Sequence, residues 1–178
     1  MSLESHFCLL AEYNQWMNLK VYESAGRLSR EDLTADRGAF FRSVLGTLNH
    51  IVVADFIWLK RFATHPSCGS LLREIVDLSN PASLDHILYD DFEALSERRY
   101  WLDEQIIKWT GALAADDLNF VLSYRNTKGI AANKRFASLL LHFFNHQTHH
   151  RGQVSTLLSQ AGEDVGVTDL LALIKEEI

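Results

Sequence analysis

Between His142 and His150 the chain reads His-Phe-Phe-Asn-His-Gln-Thr-His-His, so four of its eight histidines fall within nine residues. His146 and His150 are about one helical turn apart, and that spacing sets two imidazoles side by side on one helix face. Two nitrogen donors placed this way are what a helix offers to a single metal ion. Around them Phe136, Leu139, Leu140, Phe143, Val154, Leu157 and Leu158 recur at helical spacing and form one apolar stripe. The pattern predicts that His146 and His150 project from inside the stripe, with His142 and His149 at its edge. Polar rings aimed into a core need partners, since an unsatisfied buried polar group costs roughly 1–3 kcal/mol. A shared cation would satisfy both rings. A carboxylate or a backbone carbonyl would do the same for each ring separately, so spacing alone leaves both readings open.

The elements that must position these rings are helices. Both prolines, Pro66 and Pro81, lie between residues 64 and 90, and the rest of the chain is compatible with long helices. The first is expected from about Leu3 to Ser24, carrying Phe7, Leu10, Tyr13, Met17 and Val21 on one face. After a capping signal at Ser29-Arg-Glu-Asp, a second is expected from about Gly38 to Phe62. It is apolar around most of its circumference, which predicts burial on two sides, against the bundle core and against a second subunit. Residues 64–90 form an irregular crossover with a short helix in its middle, and a third long helix runs from about Asp91 to Ala114. Leu118 to Ala132, with Gly129 near the turn, has the pattern of a small β-hairpin. The fourth long helix covers about Lys134 to Gln160 and closes at Gly162, and a short amphipathic helix starts at Thr168. The expected fold is therefore all-α, a four-helix bundle with a long crossover between its second and third helices, a hairpin before the fourth and a short C-terminal helix. It occupies one domain over residues 1–178.

Composition narrows the partners. Of the 178 residues 47% are hydrophobic and 22% charged, with a net charge of −6. The chain is long enough to bury a core without disulfides or structural metals. No apolar run approaches a membrane span, and the N-terminus lacks the layout of a signal peptide, so the expectation is a cytoplasmic protein with no membrane partner. The acidic balance, with no Lys/Arg stripe, argues against nucleic acid, whose affinity comes largely from phosphate neutralisation. Cys8 and Cys68 stand in no paired motif, which suits a reducing compartment. Cys8 reads as packing. Cys68, in a loop, would be a nucleophile only with a depressed pKa.

An open metal site needs a third ligand. His6, His65 and His86 fall in the first helix, a loop and the crossover, whereas His50 lies within the long apolar second helix. By burial and elimination His50 is the best third candidate, beside the alternative of a satisfied core histidine. Here the chain resembles a known family. Leu48-Asn-His50-Ile-Val-Val-Ala-Asp55-Phe-Ile-Trp58-Leu, followed by His146-Gln-Thr-His-His150-Arg-Gly-Gln153, resembles the DinB (DinB/YfiT-like) family. Tyr13-Asn-Gln-Trp16-Met-Asn and the terminal Gly166-Val-Thr-Asp-Leu-Leu-Ala-Leu agree with it, so the likeness covers essentially the whole chain. The resemblance implies a four-helix bundle that commonly dimerises. It also implies a divalent metal, nickel or zinc, held by His50, His146 and His150.

Three neutral imidazoles would leave coordination positions for water or substrate, the arrangement of a catalytic site. The resemblance implies thiol-dependent transfer or isomerisation on a small electrophile, with a low-molecular-weight thiol as cofactor. Metal-dependent hydrolysis is the alternative, and a metal-binding dimer without turnover is a third, favoured if His142 or His149 closes the shell. No general base stands out. Asp55 is expected to orient an imidazole or to touch a second subunit, and Trp58 to wall the pocket or pack in the core. His149 either lines the pocket or faces solvent. Gln147 and Gln153 are polar neighbours of the ligands, and Arg151 is expected to point away from them toward a salt bridge or the dimer.

Overall fold

The computed structural model describes residues 2–176. Helix α1 spans Leu3–Ala25, with the Ser2 side chain accepting from the Ser5 N–H and Glu4 in the first turn. A short α2, Arg30–Thr34, is capped by Ser29. Helix α3 spans Val44–Phe62, α4 is the short Arg73–Val76, and α5 spans Phe92–Gly111 with Asp91 as its cap. Strands β1 (Val121–Arg125) and β2 (Ala131–Arg135) form an antiparallel hairpin in which Val121 pairs with Arg135 and Arg125 with Ala131. Helix α6 spans Phe136–Gln160.

The four long helices form the expected bundle. Helix α1 packs against α5 and α6, and α3 packs against α6 and, more thinly, α5. Around the ring the order is thus α1, α5, α3, α6, so α1 lies diagonal to α3 and α5 diagonal to α6. Asp55 meets Arg99 and Phe62 meets Trp109, so α3 and α5 run parallel, and the crossover must return the chain along the length of the bundle.

Several boundaries differ from the sequence expectation. The second long helix begins at Val44 rather than near Gly38, because Ser43 caps it and residues 38–42 turn tightly instead. Gly38 has φ 73°, Arg42 has φ 68°, and an Ala39–Arg42 bridge closes the turn. The fourth begins at Phe136 because Lys134 and Arg135 are committed to pairing with Leu122 and Val121. The C-terminal helix is a 3₁₀ turn, Leu170–Leu173, flanked by Asp169 rather than Thr168 and burying none of its residues. Thr168 instead offers its carbonyl to the Tyr13 hydroxyl at 2.6 Å.

The two-sided apolarity of α3 has its explanation inside one chain. Every residue from Val44 to Phe56 is buried, between α6 and α5 on one side and α2 and the crossover on the other. The Asn49 amide fastens the crossover, donating to the Tyr89 carbonyl at 3.0 Å and accepting from its N–H at 2.9 Å. The apolar surface that suggested a second subunit is therefore already covered.

At the centre of the bundle lies a charged network. Arg99 and Asp103 of α5 are fully buried and 2.8 Å apart, and Arg99 Nη1 donates to Asp55 of α3 at 2.5 Å. From α1, Asn14 and Asn18 donate to Asp103, both at 3.0 Å. Gln147 of α6 donates to Asp55 at 2.8 Å, and Arg151 of α6 donates to Asn14 and, at 3.4 Å, to Gln147. Two guanidinium groups balance two carboxylates, and all four long helices contribute. Buried charges are tolerated only when paired, and this closure pairs both guanidinium groups with carboxylates or amides while leaving Arg99 Nε without a partner. Breaking one partner leaves an uncompensated charge at a cost of about 3–5 kcal/mol. Arg99→Met is expected to lower stability by about that amount in urea unfolding. By contrast Arg30→Ala, which removes an exposed pair with Asp90, should change it by under about 0.5 kcal/mol.

Candidate metal centre

The packing of α3 on α6 brings His50, His146 and His150 together. One ring nitrogen from each falls within 4.8 Å of the others, with His50 buried and the α6 pair half-buried. Ring centroids are 4.4 Å apart for His50 and His150, 4.4 Å for His146 and His150, and 5.3 Å for His50 and His146. The histidines outside this face make local bonds, although His65 Nε2 is buried without a partner. His6 bonds to the Ser2 carbonyl, His65 accepts from the Ser67 N–H, and His86 accepts from the Ala82 N–H.

Hydrogen bonding decides what the cluster presents. His50 Nδ1 lies 2.8 Å from the Leu84 carbonyl, which can only accept, so Nδ1 carries the proton. His150 Nδ1 lies 2.8 Å from Gln153 Oε1 and donates in the same way. In the neutral rings both Nε2 atoms are therefore bare lone pairs, and they face one another at 3.2 Å. Two acceptors at that distance repel unless a cation lies between them. Nitrogens bound tetrahedrally at about 2.0–2.1 Å from one ion stand roughly 3.3 Å apart, so the pair is already spaced for one. The donor set fits a borderline divalent ion such as zinc or nickel.

Burial keeps the rings neutral. It pushes His50 down to about 4, against the opposing bond to Leu84 and with help from His150. His146 is pushed down to about 3 by burial and then by its histidine neighbours, and His150 is lowered by burial too. Folded-state values below the free imidazole value of about 6.5 mean that protons are refused by the fold but accepted by the unfolded chain. The cluster's contribution to stability therefore declines as pH falls from about 6.5 through about 4 for His50 and about 3 for His146, then levels off as the folded rings protonate.

The turn before α3 covers the centre. The Phe41 ring stacks on His50 with centroids 3.7 Å apart and meets His150 edge-on at 5.6 Å. This approach requires Gly46, since a Cβ there would lie 2.2 Å from the Phe41 carbonyl oxygen. Neither Phe41 nor Leu84 was legible as a neighbour of the site. Any residue supplies a carbonyl, and Phe41 read as part of the helix.

The remaining sequence candidates fall in different places. Gln153 holds His150, and its amide also lies 3.4 Å from the exposed His149, whose ring meets His150 edge-on. Trp58 packs against His142 at 5.0 Å, and His142 lies 5.9 Å from His146, so Trp58 is one ring removed from the cluster. Asp55 orients no imidazole: its carboxylate is taken by Arg99 and Gln147 in the buried network. Arg151 reaches into the core rather than to a surface pair. Within the apolar stripe the most deeply buried polar positions are Gln147 and Arg151, and His146 and His150 flank them. Cys68 is fully buried, and burial raises its pKa while the Trp109 indole N–H donates to its sulfur at 3.2 Å. It is a packed thiol, not a nucleophile.

Fold and cluster together define a helical bundle with a candidate histidine metal centre between two of its long helices. The DinB family model matches residues 1–177, and the chain belongs to that family. A curated relative, Protein DinB of Bacillus subtilis (strain 168), is 26% identical over 162 residues, covering 90% of this chain and 88% of its own length.

The purified chain is expected to bind about one divalent ion, with His150→Ala and His146→Ala each abolishing binding, as measured by elemental analysis after dialysis. Because proton competition sets in nearer pH 4 than 6.5, occupancy should persist at about pH 5.5, where free imidazole is mostly protonated. Gln153→Leu should leave the helical signal unchanged yet lower metal affinity about 10–100-fold in a chelator competition.

Proposed function

We propose that this chain is a metal-dependent enzyme that activates a low-molecular-weight thiol and delivers it to a small electrophile, in transfer or isomerisation. The observation that carries the reading is the pair of deprotonated Nε2 atoms of His50 and His150, 3.2 Å apart, with His146 alongside. Nickel or zinc is the expected ion, as the resemblance implies. A divalent ion on three neutral donors keeps its full charge and open positions, and so favours a bound thiol as thiolate.

The chain's own groups make that arrangement selective. The Leu84 carbonyl and Gln153 hold two rings by their Nδ1 protons, which aims both Nε2 atoms at one point. Phe41 shields one face of His50 from water, and the polar surroundings of His150 lie on the side of Gln153. Among the described residues the cluster holds three histidines and no carboxylate or cysteine. His149 is turned to Gln153 and His142 to Trp58, so neither closes the set as a non-catalytic metal store would require. Among the described residues no helix is long and apolar enough to cross a membrane, and the substrate is read as a small molecule. The homodimer rests on the resemblance alone, since α3 is covered within one chain.

The test is a panel of small thiols against small electrophiles, followed by loss of free thiol. Conjugation should depend on the added metal and disappear in His150→Ala. Ester or amide cleavage without any thiol would instead establish the hydrolase. Metal binding with neither activity would leave a binding protein.

A further inference from the structure

The turn that carries Phe41 also builds a cleft that the metal centre does not use. A cavity of about 310 Å3 is lined by residues 37–40 of this turn and by Gln153, Thr156, Leu157 and Gln160 of α6. Gln153 is the side chain that holds His150, so one residue separates this cavity from the candidate metal centre. Arg37 is the single charged residue among those lining it. Its guanidinium is poorly neutralised. One contact, from Nη2, reaches Asp32 at 3.3 Å, and that carboxylate is 51% exposed, while Nε is buried without a partner. An ion pair so exposed contributes little. The backbone that carries Arg37 is nevertheless held, because its N–H donates to the Arg42 carbonyl at 2.8 Å across a turn with Gly38 and Arg42 in left-handed conformation. Beside it Phe40 is 85% exposed, an unusual placement for a large apolar ring.

A chain of net charge −6 repels anions in general, so an under-neutralised arginine lining a cleft is a local exception. Its planar fork matches a carboxylate, and the neighbouring amides of Gln153 and Gln160 supply further N–H donors. Phe40 and Leu157 supply apolar contact for the carbon chain. We infer that this cleft binds the carboxylate of a small acid whose other end reaches the metal centre, with Arg37 as the residue that selects it. The inference rests on the metal–thiol reading for what the far end does, and on the cleft alone for the carboxylate.

The experiment uses the full cobalt-loaded chain and two matched series of ω-mercaptocarboxylates and ω-mercaptoalcohols of three to six carbons. Calorimetry reads binding, and the visible spectrum reads sulfur on the metal. At the chain length that spans cleft and centre, the acid should bind at least about 10-fold more tightly than its alcohol. Arg37→Gln should remove that preference while leaving metal content, melting temperature and alcohol binding unchanged, and Arg37→Lys should retain part of it. Equal affinity for acid and alcohol at every length, or a preference that survives Arg37→Gln, overturns the assignment while leaving the metal–thiol reading intact. An Arg37-dependent preference in calorimetry with no spectral change supports the cleft and overturns the thiol on metal. Absence of binding by either series overturns both.

Discussion

The rotation of α6 is the constraint on which the candidate site depends, and the buried charge network sets it. Gln147 and Arg151 are a turn apart and both are committed to the core, through Asp55 on α3 and Asn14 on α1. His146 and His150 each precede one of them by a single residue, or about 100° of helix. Holding the first pair inward therefore places the second pair at the flank that faces α3. The axial register comes from the same contacts. Asp55 meets Gln147 and His50 meets His150, so rising numbers on α3 match falling numbers on α6. These are two rungs of one antiparallel helix pair. The network is made of directional, charge-assisted bonds, which tolerate a shift of register less readily than apolar packing does.

Two irregular segments finish what the helices begin. The crossover contributes the Leu84 carbonyl to His50, and it is held on α3 by the reciprocal bonds of Asn49 and Tyr89 and by Lys60, which donates to Asn80 at 2.8 Å and to the Leu78 carbonyl. The turn before α3 contributes Phe41 and, in the proposed cleft, Arg37. Both segments are anchored by backbone and amide contacts, so the groups that orient and cover the imidazoles sit on loops positioned by a rigid bundle. The low basicity of the rings follows from this covering, because burial disfavours the imidazolium and leaves neutral donors at physiological pH.

The sequence by itself determined the four long helices, the crossover, the hairpin and the paired histidines of α6. These are local properties, carried by the 3.6-residue period, the capping residues and the clustering of both prolines between residues 64 and 90. It also contains the polar network as spaced pairs. Asn14 and Asn18, Arg99 and Asp103, and Gln147 and Arg151 are each four residues apart on core-facing positions, as buried partners on facing helices must be. Tertiary structure alone decided that His50 turns toward α6, because a helix buried over every residue from Val44 to Phe56 has no amphipathic face to orient it. It alone decided which nitrogens are bare, since tautomers are set by a carbonyl and an amide from elsewhere in the chain. It alone assigned Asp55 to Arg99 rather than to an imidazole, and covered α3 without a second subunit. Each of these outcomes depends on a partner distant in sequence, and periodicity records only which side of a helix is buried, never what lies across from it.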